Sequence, residues 1–122
     1  MSGRVVELAG LRAWLCDPEG PPLASDSDAA DVVGEAFANA APIVVVPVAR
    51  LAPGFLDLRT RLAGEVLQKF VNYRRQVAIL GDITEALRTS GALCDFVRES
   101  NRGRSVWFVP DLAALEAKLA RR

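Results

Sequence analysis

The chain has 122 residues, enough to bury one hydrophobic core without staples, so a single domain spanning residues 1–122 is expected. Hydrophobic residues make up 51%, which excludes a disordered chain, and Lys+Arg balances Asp+Glu at 15 each. That neutrality argues against general nucleic-acid binding or an anionic membrane surface, and the absence of histidine removes Ser-His, Cys-His and His-metal chemistry.

Arg4 to Leu8 and Leu11 to Cys16 read as two short strands turning at Ala9-Gly10. Pro18, Gly20, Pro21 and Pro22 make the next stretch a loop. Ser25 to Asp28 offers two caps and an acidic first turn for a helix that buries Val32, Val33, Ala36, Phe37 and Ala40. The run Ile43 to Val48 is β-branched without polar alternation, the pattern of a strand covered on both faces.

Asp57 is the candidate N-cap of the following helix, whose Leu58, Leu62, Ala63, Val66, Leu67, Phe70 and Val71 recur at helical spacing. Gly64 inside that helix predicts a close-packed neighbouring backbone, since glycine there costs about 1 kcal/mol against alanine. Gln76 to Leu80 supplies the next strand, Ile83 to Thr89 a short helical turn, and Ala92 to Ser100 a better helix directing Leu93, Phe96 and Val97 inward. Asn101 or Gly103 would take a left-handed cap after it. Ser105 to Val109 is the last strand. Asp111 caps a final helix of Leu112, Leu115 and Leu119, with Arg121 and Arg122 suiting the dipole at its end. The fold class is therefore α/β: a hairpin, then alternating helices and strands, in a mixed, mostly parallel five-stranded sheet packed by about four helices.

Ligands in open α/β sheets bind beyond the carboxyl ends of the strands. Asp57, Asp82 and Asp111 follow the three parallel strands and, with Glu65 or Glu85, form a candidate acidic site for a divalent ion or for acid/base work; capping is the plainer role of each. Arg59, Thr60 and Arg61, read as the first helical turn, could hold phosphate or carboxylate. Arg98, Arg102 and Arg104 form a second basic group, with plain surface charge as the alternative. Leu51, Pro53, Phe55 and Leu56 are apolar for a connector, so that loop either folds onto the core or faces a partner. Cys16 and Cys94 fit no metal or redox spacing and read as reduced thiols. No dinucleotide or phosphate-loop fingerprint occurs, and no cofactor or metal is implied. With no signal peptide or bilayer-length apolar run, the expected compartment is the cytoplasm.

Leu62-Ala63-Gly64-Glu65-Val66-Leu67-Gln68-Lys69-Phe70-Val71-Asn72-Tyr73, then Ala78-Ile79-Leu80-Gly81-Asp82, resembles a family of short bacterial proteins known only as a domain of unknown function. Asp95 to Gly103 and Phe108-Val109 fit that family too. Element order and the Phe55-Leu56-Asp57 turn are more loosely similar to the STAS domain, the anti-sigma-factor antagonist module. The STAS resemblance implies a serine after the aspartate that a partner kinase phosphorylates to switch binding. Here Leu58 follows Asp57, and Thr60 is the first hydroxyl. The resulting expectation is a STAS-like, non-enzymatic regulatory or protein-interaction module. It would bind a protein partner, with a homodimer as one option, through Leu51 to Lys69, using Phe55, Asp57, Arg59, Thr60, Arg61 and Glu65. The alternative is a small-ligand-binding protein or enzyme using Asp57, Asp82 and Asp111.

Overall fold

A computed structural model describes residues 2–121. Strands β1 (Gly3–Leu8) and β2 (Leu11–Cys16) form an antiparallel hairpin. Ala9 and Gly10 turn it with φ of 51° and 81°, the paired positive angles of a tight hairpin turn that matches strand twist. Then follow α1 (Asp26–Ala38), β3 (Ile43–Pro47), α2 (Leu62–Asn72), β4 (Gln76–Leu80), the one-turn α3 (Thr84–Arg88), α4 (Gly91–Arg102), β5 (Val106–Val109) and α5 (Leu112–Ala120). The sheet order is β1-β2-β3-β4-β5, parallel from β2 onward. This is the mixed α/β sheet that the pattern of the sequence predicts.

Strand alternation divides the core in two. Trp14, Val44, Val46, Val77, Ile79 and Phe108 face one side and pack with residues of α1, α2 and α4. Because each strand lies beside its predecessor, right-handed crossovers put successive helices on one face, and that is where these three lie. Ala13, Leu15, Ile43, Val45, Ala78 and Trp107 face the other side, against Leu115 and Leu119 of α5. Ser25 caps α1 by accepting from the Asp28 N–H (3.2 Å), and Asp111 caps α5 by accepting from Ala114 (2.8 Å).

Several local expectations are corrected. Asp57 does not cap α2. It caps a separate 3-10 turn, Leu58–Thr60, and Arg61, in a left-handed conformation (φ 63°), breaks the chain direction before α2 begins at Leu62. Phe37 is half exposed rather than buried, its ring edge-to-face with Tyr73 and under the Arg75 guanidinium (3.7 Å). Ala40 is also exposed, at φ 52°, where it ends α1. Gly64 faces open space, so no neighbouring backbone requires it. Gly103 is extended, and α4 ends without a left-handed residue. Arg121 stands at the end of α5, whereas Arg122 lies outside the described residues.

The loop after β3 folds onto the core, with Phe55 1% exposed and Ala52 also buried. Its start holds Arg50, a charged residue only 2% exposed. The Arg50 Nε donates to the Pro21 carbonyl (2.6 Å) and Nη1 to those of Asp17 (3.0 Å) and Ser2 (3.2 Å). The Leu23 N–H returns a bond to the Arg50 carbonyl (2.7 Å). One guanidinium thus fastens the loop between β2 and α1 against the loop after β3.

Cys16 and Cys94 are both free thiols. Burial pushes the Cys16 thiol up to about 12 from 9.0, with Arg50 pulling it weakly down and Glu35 up. Below pH 9.0 the folded and unfolded chains both keep this proton. Between 9.0 and about 12 the unfolded chain loses it first, so the native state binds more protons and stability falls as pH rises. The expected slope is at most about 1.4 kcal/mol per pH unit. Urea titrations through that window should show a shallower alkaline decline for Cys16→Ala than for the parent. Equal slopes would mean that the thiol is not sealed from water.

Candidate functional site

At the carboxyl edge of the sheet the structure brings part of the predicted set together. Leu56, Asp57, Leu58 and Arg59 face Ala86 and Ser90 across an open cleft of about 610 Å³. The Asp57 carboxylate accepts from the Arg59 backbone N–H (3.1 Å), from Nε (3.0 Å) and from Nη2 (2.9 Å). Those bonds hold the Asp57 carboxyl below the usual carboxylate range and raise Arg59 in turn. The Arg59 side chain is 91% exposed, so the pair is a solvated clamp rather than a buried charge relay.

Thr60 lies outside α2, and its hydroxyl is occupied. Oγ1 is 2.8 Å from the carbonyl oxygens of both Gly54 and Asp57, donating to one at a time, and it accepts from the Leu62 N–H (3.2 Å). A phosphate on that oxygen would lose the donated proton and face two carbonyl oxygens, which opposes the anion-friendly first turn expected from the sequence. Arg61 and Glu65 are exposed, and Glu65 sits in the first turn of α2, where a carboxylate suits the dipole. The Phe55 ring is buried and therefore serves the core instead of a partner.

The three aspartates do not converge. Asp82 accepts from the Thr84 N–H (2.9 Å) and hydroxyl (2.5 Å), which lowers its carboxyl, and Asp111 is committed to the cap of α5. Glu85 pairs with Arg88 (2.8 Å). Among the described residues, no three Cys, Asp or Glu are grouped to hold a metal ion.

The second basic group also divides. Arg98 and Arg102 are paired one turn back with Asp95 (3.2 Å) and Glu99 (3.0 Å). Arg104 instead turns to the opposite end of the strands. There, with Arg74 and Arg75, it lines a cavity of about 390 Å³ beside Val71, Ile43 and Ser105. The sequence does not single out Arg74 and Arg75, because a dipeptide closing an amphipathic helix reads as solvated charge. The available signal was their adjacency just before a strand, which places both side chains at the amino edge.

Among the described residues, no helix is long and apolar enough to cross a membrane. Searches of curated proteins and of solved structures returned no match. A family comparison did: residues 9–119, from the hairpin turn to the last turn of α5, match one family, and the helix-and-strand wording from Leu62 to Asp82 lies within that span. The chain belongs to the family described as Domain of unknown function (DUF4180).

Proposed function

We propose that this protein is a non-enzymatic, cytoplasmic binding module that docks a protein partner in the cleft between the Leu56–Arg59 segment and the α3–α4 turn. The observation that carries this reading is the mixed lining of that cleft. Half-buried Leu56 and Leu58 offer apolar contact, while the Asp57–Arg59 clamp stands at the rim. An apolar side chain flanked by polar groups on a partner segment fits such a lining. The commitment of Asp57 and Asp111 to caps, and of Asp82 to Thr84, supports binding over turnover. The looser resemblance to the STAS domain points the same way, without its serine switch.

The test is capture by the tagged full-length chain from its source cells, with the captured species then titrated quantitatively. Leu58→Asp and the exposed Arg59→Glu should each weaken it by about tenfold or more, the scale of one interface anchor. Arg104→Ala, at the other sheet edge, should leave it unchanged. Retention by Leu58→Asp and Arg59→Glu at parental affinity would overturn the cleft as the docking surface.

A further inference from the structure

The geometry points to a second site, at the amino edge of the sheet, that binds a small molecule carrying a phosphate group on an apolar body. Three arginines from two separate segments line one cavity there: Arg74 and Arg75, after α2, and Arg104, before β5. The residues lining it include no Asp or Glu. Arg59, Arg88, Arg98 and Arg102 each have a carboxylate within 3.2 Å; among the described residues Arg74, Arg75 and Arg104 have none, and unlike Arg4, Arg12, Arg50, Arg61 and Arg121, which also have none, these three share one cavity. Unneutralised positive charge is therefore concentrated at a concave surface, the arrangement that recognises a doubly charged anion by several N–H donors at once.

Two features mark the Arg74 and Arg75 positions. Arg74 sits at φ 56°, in the left-handed position that closes α2. Its N–H bonds to the Val71 carbonyl (3.0 Å) and that of Arg75 to the Phe70 carbonyl (2.9 Å), a cap where glycine is favoured and a side chain is strained. Arg75 is pre-positioned. Its guanidinium stacks on Phe37, which Tyr73 braces, and its Nε is shielded from solvent with no acceptor among the described residues. A guanidinium already held by stacking loses little conformational freedom when its outer N–H groups meet an anion. Val71, Pro42 and Leu11 give the cavity an apolar wall, and its volume lies in the range of small-molecule sites, roughly 300–1,000 Å³. A bare ion would leave that wall uncovered.

The test is calorimetric titration of the full chain with phenyl phosphate and with inorganic phosphate, in chloride buffer at matched ionic strength. Saturable binding is expected, tighter for phenyl phosphate because the ring covers the apolar wall. Arg104→Ala should weaken it about tenfold while leaving the ligand-free thermal midpoint unchanged. Arg74→Gly provides a readout that a purely structural role would not give. The ligand-free midpoint should rise by roughly 2–4 °C as backbone strain is relieved, while phosphate binding weakens. Unsaturable heats with both probes, or equal affinity in the parent and both variants, would overturn the site. Tighter binding of a single-stranded oligonucleotide than of phenyl phosphate, lost with the same arginines, would overturn the small-molecule assignment.

Discussion

Phe70→Ala lowers the free energy of unfolding by about 3–5 kcal/mol, the usual cost of deleting a buried aromatic ring. Phe70 is 0% exposed and lies on the inward stripe of α2 with Ala63, Val66 and Leu67, against the sheet face that carries Val44 and Val77. The ring sits in the last turn of α2, whose end is fixed by the Arg75 N–H bond to the Phe70 carbonyl (2.9 Å). Backbone movement to close the cavity would disturb that cap, so collapse is limited and the upper part of the range applies. Val71→Ala is the control. Val71 is the neighbouring exposed residue, and its truncation should stay within about 0.5 kcal/mol. Chemical denaturation of both variants checks the pair; a loss below about 1 kcal/mol for Phe70→Ala would contradict the packing of α2.

Arg50→Met is the second large effect, expected at about 2–4 kcal/mol. Hydrogen bonds from a charged donor contribute about 1.5–3 kcal/mol each, and three carbonyls lose theirs. The desolvation cost of the buried guanidinium is recovered at the same time, which keeps the net below the sum. Gly20 supplies an independent check. A Cβ there would stand 2.6 Å from Nη1 of Arg50, so Gly20→Ala must displace the guanidinium. In a double-mutant cycle, Gly20→Ala should cost little once Arg50 is already Met. Additive losses would show that the contact is not what links the two loops.

The parts legible in the sequence are those where one local signal dominates. The β-branched run of Ile43 to Val46 suits a strand buried on both faces, and the capping chemistry of Ser25 and Asp111 marks two helix starts. The start of α2 is not legible in this way, because Asp57 does cap a turn, but a 3-10 one. Nothing in the identity of Arg61, neither Gly nor Asn, announces the left-handed break. Phe37 has the spacing of a core residue, and periodicity alone does not distinguish a ring under the core from one stacked beneath Arg75. Arg50 was invisible for a different reason. Its partners lie 29 to 48 residues away, and a lone arginine in a loop carries no mark of burial. The same distance effect hid the amino-edge arginines, because Arg104 meets Arg74 and Arg75 only through the pairing of β4 with β5.

The placement of α5 has a consequence for synthesis. Three helices cover one sheet face as each strand is added, but the opposite face meets α5, which follows all five strands in the chain. Until Leu115 and Leu119 have been made, a growing chain that has already paired its strands presents Leu15, Ile43, Val45 and Trp107 to the surrounding water. An exposed apolar sheet face of that kind is prone to association. Ribosome-bound chains stopped before Leu112 should therefore be the form that chaperones hold, and release should coincide with the appearance of α5.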